Sequence, residues 1–166
     1  MIKIKKISIL GLIAIFTVTF SGVSFALNSP VVVQDHGVIT GMIISDNGLR
    51  LTGEYGLTSQ LALIGTAGDP INRIGVKYEV DPNFAIVGGV TEDSPFIGIN
   101  GSRKLHKDIV GLYEFDLSMR RDDLSLLYEL GIKLNLDNNV DLRAGVIDFV
   151  EHSHFPSLEV GIGYKF

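Results

Sequence analysis

The residues best suited to chemistry lie in the stretch DFVEHSHF, residues 148–155. Glu151, His152 and His154 fall within four positions, and alternate residues of an extended chain point to the same side, so both imidazoles would face one way. Two imidazoles and a carboxylate can bind Zn²⁺. The alternative is a polar loop tip whose histidines are hydrated. We adopt this second interpretation, so these three residues remain candidates only, and we predict no metal and no cofactor.

The rest of the sequence offers little other chemistry. There is no Cys, which excludes a disulfide framework and a lipid-anchoring cysteine. The glycine-rich piece VGGV, residues 87–90, lacks the strand-to-helix context of a phosphate-binding loop. The formal net charge of −5 argues against nucleic acid as a partner. The sequence therefore predicts no catalytic residues and a role that is not enzymatic.

The first 26 residues have the pattern of a cleaved signal peptide. Lys3, Lys5 and Lys6 precede an apolar run, and small residues lead up to Ala26. The pattern predicts export, with residues 1–26 removed, residues 27–36 as a periplasmic N-terminal segment, and residues 37–166 as one β-barrel domain. After residue 36 no apolar run approaches the ~20 residues of a membrane helix, so any crossing of a membrane must use strands.

From residue 37 onward, apolar and polar residues alternate, and groups of Asn, Asp, Gly and Pro interrupt the alternation as tight hairpins require. This pattern predicts an all-β fold, a closed antiparallel up-and-down barrel of about ten strands. The predicted strands lie near 37–45, 48–57, 60–66, 71–80, 83–91, 95–103, 108–119, 122–136, 139–150 and 155–166. The third strand has the weakest pattern, so eight strands also fit.

The alternation creates one apolar face and one charged face. The charged face carries six basic and seven acidic residues, Arg50, Glu54, Arg73, Lys77, Glu79, Glu114, Asp116, Glu129, Lys133, Asp141, Arg143, Glu159 and Lys165. A soluble barrel would turn this face to water, whereas a transmembrane barrel would turn it to the lumen. Most predicted strands have the ~9–11 residues that cross a bilayer, so we interpret the barrel as transmembrane. Because the two signs nearly balance, we expect the charges to pair across a largely occluded lumen.

The stretch SLEVGIGYKF, residues 157–166, is the most regular of the predicted strands. Together with the signal peptide and the short alternating strands, it resembles the last strand of small bacterial outer-membrane β-barrel proteins of the OmpA-barrel, OmpX and OmpW kind. The resemblance implies a porin-like membrane protein of a Gram-negative-type outer membrane. It also implies that the barrel-insertion machinery reads an assembly signal made of Leu158, Val160, Ile162, Tyr164 and Phe166. The short loops depart from those barrels, which usually carry long ones.

In this topology one set of connections faces outward and is mainly acidic. It contains Asp46, Asp69, Glu92, Asp93, Asp122, Asp123, Asp148 and Glu151 against Arg120 and Arg121. Such a rim can bind divalent cations, which also bridge the phosphates of lipopolysaccharide, although solvated loop charge is the alternative. The expected partners are outer-membrane lipid and lipopolysaccharide, with the insertion machinery during assembly and no nucleic acid.

Three functions remain open at this point: a structural or surface-interaction barrel, a narrow channel for small solutes, and a soluble periplasmic lipocalin-like carrier of hydrophobic ligands. A lipid-modifying barrel hydrolase is a further alternative. Lipid A deacylases carry His-x-Ser-Asn near the last hairpin, and the run His152, Ser153, His154 does not match that motif.

Overall fold

The computed structural model describes residues 29–45, 48–120, 123–151 and 155–166. The predicted signal peptide, residues 1–26, lies outside the described residues. The described chain forms ten strands: β1 (Gly37–Ile44), β2 (Gly48–Gly56), β3 (Leu61–Gly68), β4 (Arg73–Asp81), β5 (Phe84–Thr91), β6 (Pro95–Lys104), β7 (Ile109–Arg120), β8 (Asp123–Asn135), β9 (Val140–Phe149) and β10 (Ser157–Lys165). No helix in this part of the chain is long and apolar enough to cross a membrane.

Each strand pairs antiparallel with its neighbours in the chain, and β1 pairs with β10, so the sheet closes into a barrel. The predicted all-β, up-and-down, closed architecture is confirmed, and the strand number is ten rather than eight. Closure satisfies the backbone hydrogen bonds of both terminal strands, which would otherwise be exposed sheet edges.

The seam between β1 and β10 ends at Gly37 and Phe166. The Gly37 amide donates to the Phe166 carbonyl at 2.9 Å, and the Phe166 amide donates to the Gly37 carbonyl at 3.0 Å. The Phe166 ring lies over Gly37, so a Cβ at Gly37 would overlap the ring. Glycine is therefore required for the ring to cover this end of the seam.

The apolar face of the strands is on the outside of the barrel. Ile43, Leu49 and Ile74 are 69%, 68% and 64% exposed, while Arg50 is only 1% exposed. This is the arrangement of a transmembrane barrel, and the even strand number is that of bacterial outer-membrane barrels, although the connections on the loop side are shorter than theirs. The predicted outer-membrane barrel is thus confirmed. The soluble carrier needs the opposite orientation and is excluded.

Two ends of the barrel are distinguished by their connections. The termini-side end holds Gly37 and Phe166, together with the β2–β3, β4–β5, β6–β7 and β8–β9 connections. The loop-side end holds the other five connections. Strand length varies around the barrel, from 8 residues in β3 and β5 to 12 in β7 and 13 in β8.

The lumen also has an uncharged lining, which the sequence pattern did not predict. It is formed by inward side chains of β1, β3, β5 and β6, and among these Ile64, Val87 and Phe96 form a buried cluster. Met42 and Ala85 are also buried on this side. The thirteen charged residues come only from β2, β4 and β7–β10, so the lumen is lined unevenly.

Candidate functional site: the barrel lumen

All thirteen residues of the predicted charge network lie at inward positions of their strands. Ten of them are buried, and Glu54, Glu79 and Lys165 are half-buried. A charge removed from water is costly unless an opposite charge compensates it. Each buried charge therefore needs a partner of opposite charge within the lumen.

Arg50 on β2 bridges two carboxylates from other strands, one of them across the lumen. Its Nη2 and Nη1 donate to the two carboxylate oxygens of Glu129 on β8 at 2.9 and 3.1 Å. Its Nη2 also lies 2.5 Å from Oε2 of Glu159 on β10. The bidentate geometry uses the planar fork that makes arginine suited to buried ion pairs.

Arg73 on β4 repeats this arrangement with β7. Its guanidinium pairs with Glu114 and with Asp116. The guanidinium carbon also stands 5.5 Å from the centroid of the Phe96 ring, a cation–π contact. Asn100 adds a hydrogen bond from its side-chain nitrogen to Glu114 at 2.9 Å.

These six residues form what we name the loop-side cluster: Arg50, Arg73, Glu114, Asp116, Glu129 and Glu159. Glu114 and Glu129 are direct cross-strand neighbours, so their repulsion is offset only because each is held by a different arginine. Two basic against four acidic residues give the cluster a formal charge of −2. Strands β2 and β8 lie nearly opposite in the barrel, so the Arg50–Glu129 pair crosses the lumen.

The other seven residues form the termini-side cluster: Glu54, Lys77, Glu79, Lys133, Asp141, Arg143 and Lys165. Lys77 pairs with Glu54. Asp141 lies 2.5 Å from Nε of Arg143 and 3.8 Å from Nζ of Lys165. Lys133 is buried directly opposite Arg143 in the register of β8 and β9. Four basic against three acidic residues give this cluster a formal charge of +1.

Residues 29–36, which we name the N-terminal segment, enter the lumen at the termini-side end. Pro30 is fully buried and Val32 is 6% exposed. Nζ of Lys77 donates to the Ser29 carbonyl at 2.6 Å, and the Val32 amide lies 2.5 Å from Oε2 of Glu79. The predicted periplasmic segment is thus seated, over its described residues, against lumen side chains.

The N-terminal segment joins β1 through a tight turn. The Asp35 amide donates to the Gly56 carbonyl, and the Gly56 amide donates to the His36 carbonyl, both at 2.9 Å. Asp35 has a φ of 59°, a left-handed conformation that aspartate tolerates better than most residues. Val31, Val32 and Val33 are all apolar, so the sequence here shows no alternation of apolar and polar residues. The contacts of this segment with the barrel could therefore not be predicted from it.

Each end of the lumen retains a cavity. At the loop-side end a cavity of about 260 Å³ is lined by Asp69, Asn72, Glu92, Asp93, Ser94 and Ser118, among others. At the termini-side end a cavity of about 310 Å³ is lined by Val31, Val33, Glu54, Asn139 and Lys165, among others. Part of the predicted acidic rim therefore surrounds the loop-side mouth.

The Glu151 carboxylate is engaged by β8 rather than by histidines of the described chain. Its two oxygens accept from the Leu126 amide at 2.9 Å and lie 3.2 Å from the Ser125 hydroxyl. The candidates His152 and His154 lie outside the described residues, as do Asp46, Arg121 and Asp122 of the rim. Within the described ranges no three His, Asp or Glu residues are placed to hold a metal ion.

The five residues of the predicted assembly signal all point outward. Their exposed fractions range from 52% to 61%, for Leu158, Val160, Ile162, Tyr164 and Phe166. The alternate positions Glu159 and Lys165 face the lumen and bind Arg50 and Asp141. Recognition by the insertion machinery stays a prediction.

No family model and no curated protein matches the chain. Several solved structures share the barrel fold. The porin KdgM is 12% identical, with 79% of this chain and 99% of that chain covered and a TM-score of 0.47. Yersinia pestis outer membrane protein Ail, in a phospholipid bilayer nanodisc, is 12% identical, with 80% and 100% covered and a TM-score of 0.47. The N-terminal barrel domain of Pseudomonas aeruginosa OprF is 14% identical, with 80% and 98% covered and a TM-score of 0.37. The likeness is one of fold alone.

Proposed function

We propose that the protein is a small outer-membrane barrel whose lumen is closed by paired charges, and that its role is structural or surface-interacting rather than enzymatic. The observation that carries the proposal is the pair of buried arginine bridges. Arg50 and Arg73 each hold two carboxylates inside the barrel, and Arg50 spans it. Buried and paired charges are suited to holding walls together, and poorly suited to passing ions.

A surface role uses the loop-side end, which projects away from both termini. Phe155 is 94% exposed at this end, and the carboxylates of Asp69, Glu92 and Asp93 line its cavity. We propose that lipopolysaccharide, through bridging divalent cations, is the partner of this acidic end. Outer-membrane lipid contacts the apolar band, and the insertion machinery acts on β10 during assembly.

Electrical conductance tests the closed lumen. Purified protein reconstituted in planar bilayers should show no steps on the scale of a general porin, because the Arg50–Glu129 bridge crosses the path of an ion. A variant that removes both bridges, Arg50→Ser with Arg73→Ser, should conduct if it still inserts. Porin-scale conductance by the unaltered protein would overturn the proposal.

The second candidate is a narrow channel for small solutes. It is favoured by the cavities at both mouths and by the uneven lining, since β2, β4 and β7–β10 carry the charged lumen residues and β1, β3, β5 and β6 carry none. Liposome swelling with solutes of increasing size distinguishes a narrow channel from a closed barrel. Swelling with the smallest sugars or amino acids supports a channel, and its absence supports the closed barrel.

A further inference from the structure

The two ends of the lumen are closed by different kinds of group. At the loop-side cluster, strand side chains bind strand side chains, so the closure is part of the wall. At the termini-side end, Lys77 pairs with the side chain of Glu54, and in addition Lys77 and Glu79 bind main-chain atoms of Ser29 and Val32. The barrel wall at this end therefore binds a peptide backbone through the ammonium group of Lys77 and the carboxylate of Glu79.

The N-terminal segment has few attachments compared with a strand. Its polar links to the barrel include the contacts at Lys77 and Glu79 and the turn against Gly56, with a parallel bridge from Gln34. Its buried side chains are Pro30 and Val32, while the intervening Val31 and the following Val33 are 40% and 53% exposed. A segment with few buried apolar contacts opens at much lower free energy than the strands around it.

The part of the barrel wall beside Lys77 and Glu79, which we name the seat of the N-terminal segment, carries small residues at two inward positions. Ala62 on β3 is the register partner of Lys77, and Ala85 on β5 is the register partner of Glu79. Both alanines are fully buried. Small inward residues beside the two anchoring side chains leave room for a peptide, which a barrel filled only by its own strands would not need.

We propose that the N-terminal segment is a releasable plug, with Asp35 as its hinge and with Lys77 and Glu79 as a binding site for an extended peptide backbone. Release exposes the termini-side cluster to solvent while the loop-side cluster stays closed. The plug therefore controls access of solvent to the termini-side cluster, which has a formal charge of +1, whether or not ions can cross the whole lumen.

Thiol accessibility tests the plug, and the absence of Cys from the chain makes every introduced thiol unique. Ala85→Cys reports on the seat of the plug. Val87→Cys is the matched wall reporter, because Val87 is the next inward residue of β5 and is buried with Ile64 and Phe96. Folded full-length protein in detergent micelles is treated with a trimethylammonium methanethiosulfonate reagent, and the modification rate is followed by mass.

Val32→Asp should release the plug because it places a second carboxylate beside Glu79 in a buried position. Val33→Asp is the matched control, since Val33 is exposed. We expect the Ala85→Cys thiol to react about tenfold faster or more with Val32→Asp, at the parent rate with Val33→Asp, and the Val87→Cys thiol to stay slow in all backgrounds. If Val32→Asp does not reach the folded form, Val32→Pro removes the amide hydrogen that Glu79 accepts, with the same expected direction.

Equal rates for the Ala85→Cys thiol in parent and plug variants would overturn the proposal, and so would acceleration of the Val87→Cys thiol, which signals general loosening of the barrel. Planar-bilayer conductance of Val32→Asp separates this inference from the closed lumen. Fast thiol modification without conductance supports both, whereas fast modification with conductance keeps the plug and rejects the closed loop-side cluster.

Discussion

In the loop-side half of the lumen two arginines each bridge a pair of carboxylates from other strands, whereas in the termini-side half Pro30 and Val32 of the N-terminal segment are buried against the wall. The loop-side cluster has a formal charge of −2 and consists of strand side chains. The second half has a formal charge of +1 and receives main-chain atoms. The comparison teaches that one narrow barrel can be filled by permanent cross-links at one end and by a detachable strip of chain at the other.

Removing Arg50 should produce the largest effect on stability. Arg50→Met leaves Glu129 and Glu159 buried without their shared cation, and breaking a buried ion pair in this way costs about 3–5 kcal/mol. Urea unfolding of the reconstituted barrel, followed by heat-modifiable gel mobility, should show the loss. Lys107→Ala, in an exposed turn, is the control and should leave the unfolding midpoint unchanged.

A triple variant tests whether the unpaired carboxylates cause this loss of stability. Arg50→Met with Glu129→Leu and Glu159→Leu removes the whole set of charges, and replacing a buried ionic set by apolar residues is often nearly neutral. We expect most of the lost free energy of unfolding to return. A triple variant as unstable as Arg50→Met alone would show that Arg50 stabilises the barrel by packing and not by its charge.

The seam at the termini-side end should give an intermediate effect. Gly37→Ala forces the Phe166 ring away from β1, and overpacking of this kind costs about 1–3 kcal/mol. Gly53→Ala is the matched control, because nothing lies within 4 Å of the Cβ position there. Equal unfolding midpoints for the two alanine variants would show that the ring over Gly37 contributes nothing to the seam.

The smallest effect is expected at the exposed β8–β9 turn. The Asp137 carboxylate accepts from the amides of Asn139 and Val140, both at 2.7 Å, and these hydrogen bonds lower the pKa of Asp137 below its ordinary value of 3.8. A carboxyl whose folded pKa is lowered stabilises the fold above its ordinary pKa and loses this contribution as the pH falls through the folded value. Asp137→Ala should therefore lower the unfolding midpoint slightly at pH 7, with the difference from the parent shrinking as the pH falls below the ordinary pKa of 3.8 and through the lowered pKa of the folded state. A difference that does not change with pH would assign the effect to the turn's backbone alone.

The strands were predictable because period-two alternation is a local property of the sequence. The weak third strand, expected near 60–66, forms as Leu61–Gly68. Its inward residues Ala62, Ile64 and Thr66 carry no charge, so the alternation of charged and apolar residues that marks β2, β4 and β7–β10 is faint there. The strand forms because β3 pairs with both β2 and β4.

The pairings inside the lumen were not predictable, because they depend on how far each strand is staggered around the barrel. Nothing in the sequence links Arg50 with Glu129, 79 residues away, rather than with the nearer Glu54. The burial of Val32 could not be predicted from the sequence, for a related reason. Its burial is set by a space between Lys77 and Glu79 that exists only when the barrel is closed.

The unequal strand lengths bear on the lipid around the protein. With ~3.3 Å per residue and a tilt of about 45°, β8 reaches about 30 Å along the membrane normal and β3 about 19 Å. These two strands stand opposite each other in the ring of ten. Lipid beside β3 must therefore thin, or the barrel must lean toward that side, while lipid beside β8 keeps its full thickness. The protein imposes a gradient of bilayer thickness across its own diameter.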